Sequence, residues 1–191
     1  IYQMNNFENL NNNFYFFLIS LFFINLLILK FRFKISNYLK INDIPNNRKI
    51  HNQPIPLVGG VCFFISLIFL LFYFFYNDEI NSNKFVIYIV IYSIYFLIGM
   101  LDDIKTLSPK LRSLLIISST VLLIIFESDF NISNLNFKSI DSVYNLNNFS
   151  YIFTLFCIFA LYNALNFIDG YNGSATSIIL FWSLFLLIKN P

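Results

Sequence analysis

Charge is what this sequence lacks. Only 12% of its 191 residues are Asp, Glu, Lys or Arg, against roughly 25% in an ordinary soluble domain. With 58% hydrophobic residues and a mean hydropathy of +0.68, an ordinary soluble domain is excluded. The composition reads as an all-α integral membrane protein, a polytopic helix bundle forming a single membrane domain over residues 1–191. A net charge of +2 is too small to argue for nucleic acid. Cysteine is also scarce: Cys62 and Cys157 sit in apolar runs without ligand-like spacing, so neither a disulfide nor a metal site is expected from them. Residues 1–13 contain no Lys or Arg, so the first apolar segment lacks the basic start of a signal peptide and reads as a retained helix. The 26 Phe and the many Asn fit an AT-rich genome as well as any function, so aromatic stripes carry no argument.

What the chain has is apolar runs, at roughly 14–29, 57–76, 85–101, 113–126, 150–168 and 174–188. A spanning helix needs about 17–25 mostly apolar residues. The first, fourth and sixth runs are short for this, and tilt or snorkelling of flanking Lys and Arg can accommodate them. About six transmembrane helices are expected. Basic residues set the orientation. Residues 30–56 hold Lys30, Arg32, Lys34, Lys40, Arg48 and Lys49 against Asp43, and residues 102–112 hold Lys105, Lys110 and Arg112. The intervening loops are acidic, with Asp78 and Glu79, then Glu127, Asp129 and Asp141. The N-terminus is therefore expected outside, and the segments 30–56, 102–112 and 169–173 in the cytoplasm.

Three polar clusters fall on that one side. DIPNNRKIHNQPIPLVGG (43–60) carries Arg48, Lys49 and the only histidine, His51. Its prolines disfavour a regular helix, and Gly59-Gly60 permits close backbone approach. It reads either as a basic loop beside anionic headgroups or as a phosphate-binding site. The second cluster is Asp102-Asp103, at the end of an apolar run. A helix turns about 100° per residue, so the two carboxylates cannot face the same way. One could meet a substrate while the other is held by a partner or metal. Alternatively both are solvated acids neutralised by Lys105 or Arg112. An Asp deep in a bilayer costs about 2.5–3.5 kcal/mol, and far less at the interface, so energy alone does not decide. The third cluster, NALNFIDGYNG (163–173), spaces Asn163, Asn166 and Asp169 along one helix face. It reads as an interhelical amide ladder or as an oxygen-rich site for a hard cation such as Mg²⁺.

These clusters resemble the polyprenyl-phosphate N-acetylhexosamine-1-phosphate transferases, the glycosyltransferase 4 family of membrane enzymes. Asp43 to Gly60 match D-x-P-x-x-R-K-x-H-x-x-P-x-P-x-x-G-G. Gly99, Asp102, Asp103, Leu107 and Pro109 match G-x-x-D-D-x-x-x-L-x-P. Asn163, Asn166, Asp169, Gly170, Asn172 and Gly173 match N-x-x-N-x-x-D-G-x-[DN]-G. The resemblance covers about residues 14–188. It implies that undecaprenyl phosphate attacks the sugar-linked phosphorus of a UDP-N-acetylhexosamine, releasing UMP, at the cytoplasmic face of a bacterial inner membrane. It implies catalytic roles for Asp102, Asp103 and Asp169, with Asp102 or Asp103 deprotonating or orienting the lipid phosphate. It implies substrate contacts from Arg48, Lys49, His51, Arg112, Asn163 and Asn172. Asn166 would help hold Mg²⁺, with Mn²⁺ as an alternative, and no nucleic acid is implied. PIPLVGG points to the branch that initiates surface polysaccharides such as lipopolysaccharide O-antigen rather than to phospho-N-acetylmuramoyl-pentapeptide transferase.

The chain departs from the family pattern at Arg112 (often Lys), Ile116 (often Gln), Asn172 (often Asp) and Ser174 (often Leu). The family usually has about ten or eleven helices, and its G-D-[ST]-G-S segment with a further Mg²⁺-binding Asp is expected beyond Pro191. The chain is thus expected to be an N-terminal portion. A non-catalytic relative that binds lipid phosphate or a partner is the competing reading, and a solute carrier fits poorly because the polar groups gather at one face. Homo-oligomerisation is left open.

Overall fold

The computed structural model describes residues 12–45, 53–137, 142–168 and 174–189. Among these described residues seven α-helices follow in order: α1 (Asn12–Lys30), α2 (Arg32–Leu39), α3 (Gly59–Tyr76), α4 (Ser82–Lys105), α5 (Pro109–Phe126), α6 (Ser150–Ile168) and α7 (Ser174–Lys189). Five stretches of the described residues are long and apolar enough to cross a membrane: Asn13–Lys30, Gly59–Tyr76, Ser82–Lys105, Pro109–Phe126 and Asn147–Phe167. In α7 the apolar stretch is the shorter Thr176–Leu186. Large apolar side chains such as Phe22, Phe63, Ile125, Phe156 and Phe181 project outward. A soluble fold would bury many of them, whereas a lipid-facing surface exposes them at no cost.

Helices α4 and α5 begin ahead of their apolar runs, where polar caps start them. Asn81 caps α4, its side chain accepting from the Lys84 amide at 2.8 Å. Ser108 caps α5 by accepting from the Leu111 amide at 3.3 Å, with Pro109 in the first turn. Both follow the preference for short oxygen side chains at a helix start and for proline just inside it. Successive helices from α3 to α7 pack as neighbours, and α1 lies against α3. The short connections 77–81 and 106–108 make α3, α4 and α5 successively antiparallel.

Two ends of the bundle result, each tied by polar contacts. At one end the start of α4 meets the segment after α5, where Lys84 pairs with Asp129 and, at 3.4 Å, with buried Glu127. Nearby, Asn131 donates to Ser150 Oγ at 3.0 Å, and Thr154 Oγ1 accepts from the Ile132 amide at 2.8 Å. This end therefore joins α4, α5 and α6. At the other end Asp102 of α4 meets Arg112 of α5. Lys84 and Asp102 are 18 helical positions apart, about 27 Å at 1.5 Å per residue.

Two regions read as loops contain structure. Within 30–56, Arg32–Leu39 forms α2, which stops at Lys40 in a left-handed conformation (φ 60°). A minimal antiparallel ladder then pairs β1 (Asn42–Asp43) with β2 (Ile55–Pro56), and Ile41 beside it is almost fully buried. Within 127–149, β3 (Asn134–Phe137) and β4 (Ser142–Asn145) form a hairpin in which Leu135 opposes Tyr144.

Candidate functional site

Asp102 lies near the end of α4, and both of its carboxylate oxygens are engaged. Oδ1 accepts the Leu107 amide at 2.9 Å, and Oδ2 accepts Arg112 Nη1 at 2.8 Å. The Asp102 carbonyl also accepts the amide of Thr106, which ends the helix in a left-handed conformation (φ 46°, ψ 74°). One residue thus stops α4, shapes the tight turn and fixes the first turn of α5. The Asp102 and Arg112 side chains are 24% and 23% exposed, shielded enough for this charge-assisted contact to outweigh an ordinary surface pair. Pairing of an aspartate with Arg112 was one of the two readings of the acidic pair, and Asp102 is the aspartate that makes it.

Asp103 faces elsewhere. It lines a cavity between α3 and α4, together with Ile41, Gly60, Gly99 and Met100. The helical offset of about 100° separates the two carboxylates into a turn-holding group and a cavity-lining group.

On α6, Asn163 and Asn166 lie one turn apart within the helix, as their spacing predicts. Asn163 is half-buried and donates to the Phe159 carbonyl at 2.8 Å, whereas Asn166 is exposed. Helix α6 packs against α5, the helix that carries Arg112. Arg48, Lys49, His51, Asp169 and Asn172 lie outside the described residues.

A divalent cation would need several oxygen donors in one place. Among the described residues no three His, Cys, Asp or Glu side chains gather as a metal would need. Both Asp102 oxygens are occupied by N–H donors. Asp103 and Asn166 supply oxygens of the right kind, but too few for the about six that Mg²⁺ takes. The described residues alone therefore do not build the metal site.

The sequence reading missed the aromatic contribution to the cavity, from Phe64, Tyr92, Tyr95 and Phe96. In a chain this rich in Phe and Tyr no pattern marks them. Only the pairing of α3 with α4 selects them.

Fold and site together define a multi-pass membrane protein with a paired acid–base turn beside an aromatic cavity. Residues 85–190 match the family described as Glycosyl transferase family 4, and the chain belongs to that family. It is 32% identical over 158 residues to an undecaprenyl-phosphate alpha-N-acetylglucosaminyl 1-phosphate transferase of Escherichia coli K12, covering 82% of this chain and 41% of that protein. The protein of the same description from Escherichia coli O157:H7 is 30% identical over 161 residues, with the same coverage of 82% and 41%. A phospho-N-acetylmuramoyl-pentapeptide-transferase of Prochlorococcus marinus is 27% identical over 172 residues, 84% of this chain and 46% of that one. The chain thus spans about two fifths of the length of the first two relatives. No solved structure matches it.

Proposed function

We propose that the protein transfers an N-acetylhexosamine-1-phosphate from a UDP-sugar to undecaprenyl phosphate at the cytoplasmic face of a bacterial inner membrane. An oxygen of the lipid phosphate attacks the sugar-linked phosphorus. The bond from that phosphorus to the bridging oxygen breaks, and UMP departs with that oxygen. The product is a lipid-linked diphosphate sugar. Such a reaction asks the protein chiefly for positioning and charge neutralisation.

The observation that carries the reading is the division of the acidic pair. Asp102 is bound into the α4–α5 turn by Arg112 and the Leu107 amide, while Asp103 borders a cavity that begins at the polar end of the bundle. Asp103 is accordingly the group to take a proton from, or orient, the lipid phosphate, and Asp102 is a positioning residue. Arg112, fixed by Asp102, sits at the end where phosphate charge would gather. Asn163 and Asn166 lie on α6, which packs against α5. Mg²⁺ belongs to this reading as the cofactor that would neutralise phosphate charge, with Asn166 as one oxygen donor and Asp169 lining the nucleotide side.

The test is UMP release by membranes containing the complete gene product. Release should require both undecaprenyl phosphate and a UDP-N-acetylhexosamine, with UDP-N-acetylglucosamine preferred over UDP-N-acetylmuramoyl-pentapeptide. Release that ignores the lipid phosphate would overturn the proposal. Preference for the pentapeptide donor would move the protein to the other branch.

A further inference from the structure

Four cations gather where α1 leaves its apolar span and runs into α2. Lys30, Arg32, Lys34 and Lys40 are all exposed, and among the described residues none of them pairs with a carboxylate. Residues 30–42 contain no Asp or Glu. Helical hydrogen bonds continue across the junction, from the Phe31 amide to the Leu27 carbonyl and from the Ile35 amide to the Phe31 carbonyl, both at 3.1 Å. Lys30 and Lys34 are therefore one turn apart on one face, where like charges repel. Their ammonium groups also converge on one ring. Lys30 Nζ lies 5.9 Å from the Phe31 ring centroid and Lys34 Nζ 5.7 Å from it. Arg32 lies over Phe33 in the same way, at 5.1 Å.

The other face of α2 is packed. Ser36 is fully buried, Ile35 and Leu39 are half-buried, and the helix rests on β2. The ladder it leads into touches α4 through β1, and Ile41 shares a cavity wall with Asp103. The basic segment thus belongs to the Asp102 end of the bundle. Phe31, Phe33 and Tyr38 are exposed among the cations, Tyr38 at 87%. A soluble anion would leave these rings in water. At the end of a spanning helix they stand at the depth where aromatic side chains and headgroup phosphates meet.

We propose that the α1–α2 junction binds the headgroup of an anionic diacyl phospholipid, with Lys30 and Lys34 sharing its phosphate. Arg32 and Lys40 add to the local field, and Phe31, Phe33 and Tyr38 sit among the headgroups and upper acyl chains. A phosphate between the two lysines turns a repulsive pair into two charge-assisted contacts. Basic clusters beside a spanning helix attract anionic lipid over about a Debye length. Phosphatidylcholine carries its own ammonium and is not retained. The ligand is a bound phospholipid of the surrounding membrane, so the inference stands apart from the transferase reading and its lipid acceptor.

The experiment places the complete gene product in phosphatidylcholine vesicles holding a minor fraction of phosphatidylglycerol with a diazirine on its headgroup, and maps the labelled peptides. Label is expected on residues 30–40, ahead of the other basic segment, 102–112. Unlabelled phosphatidylglycerol should suppress it, whereas added phosphatidylcholine and soluble glycerol phosphate should not. Lys30→Gln combined with Lys34→Gln should lower the labelling about tenfold, and Lys30→Arg combined with Lys34→Arg should retain it. In detergent without phospholipid the glutamine pair should melt at the same temperature as the unaltered protein or higher, because a repulsive pair is gone. That combination separates a lost lipid from a damaged fold. Should the glutamine pair fail to fold, Lys34→Gln alone should weaken labelling, and raised salt should weaken it on the unaltered protein. Equal labelling by a phosphatidylcholine analogue would make the junction ordinary lipid-facing surface and overturn the proposal. Displacement by glycerol phosphate would make it a site for soluble anions, and preferential displacement by undecaprenyl phosphate would make it part of the acceptor's path. Either result overturns the phospholipid assignment, as does label that survives the glutamine pair.

Discussion

At the scale of single residues, Asp102 is the member of the acidic pair that holds the α4–α5 turn. Asp102 receives two N–H donors, one from a guanidinium. Asp102→Asn keeps an oxygen for the Leu107 amide but loses the charge opposite Arg112. It should cost about 1–3 kcal/mol of stability. Asp102→Asn combined with Arg112→Met should cost less than the sum of the two single changes, because the second change removes a charge the first has left unpaired. Chemical denaturation of the purified protein in mild detergent measures this, and strict additivity would mean that the pair does not stabilise the turn.

At the scale of elements, the end opposite the candidate site is a clamp. Lys84 at the start of α4 reaches Glu127 and Asp129 beyond α5, and Thr154 and Ser150 bring in α6. The Lys84 ammonium, by hydrogen bond and charge, holds the exposed Asp129 carboxyl below the ordinary aspartate range. A carboxyl depressed in the folded state adds stability above its unfolded pKa and loses it as pH falls through the folded value. Asp129→Asn should therefore lower stability slightly at neutral pH, leave it unchanged below the folded pKa, and so flatten the acid limb of the stability profile. Lys84→Met should be worse at neutral pH, since it leaves the buried Glu127 without its cation. Melting temperatures from pH 3 to 8 compare the two variants, and a larger neutral effect from Asp129→Asn would contradict the clamp.

Much of this element structure was legible in the sequence. The apolar runs locate the spanning helices, and Asn163 and Asn166 share a helix as their spacing requires. The true ends of α4 and α5 depend on Asn81 and Ser108, caps that hydropathy does not register. Helix α2 escaped notice because Arg32 and Lys34 make its segment look like a charged loop. The β3–β4 hairpin is only four residues per strand, too short for alternation to stand out among so many Asn. The acidic pair was legible as a pair, but its division of labour depends on where Arg112 and Gly60 arrive in space.

At the scale of the whole molecule, two polar ends lie on either side of an apolar bundle whose outward face is covered with Phe, Leu and Ile. The excess of basic residues in the segments 30–56 and 102–112 predicts that the Asp102 end faces the cytoplasm. With Cys62 and Cys157 replaced by Ser, a cysteine at Asp78 should react with a membrane-impermeant maleimide in intact cells. One at Thr106 should react only after permeabilisation, and the reverse pattern would invert the topology. A nucleotide sugar is water-soluble and a polyprenyl phosphate is membrane-bound, so they can meet only at such a boundary. The proposed function requires the Asp102–Arg112 turn and the Asp103 cavity to lie there.

The most direct measurement compares Asp103→Asn with the unaltered protein for UMP release and thermal stability in the same preparation of the complete gene product. The account predicts that release falls at least a hundredfold, about 2.7 kcal/mol in barrier, while the melting temperature holds. Undiminished release from Asp103→Asn would contradict it.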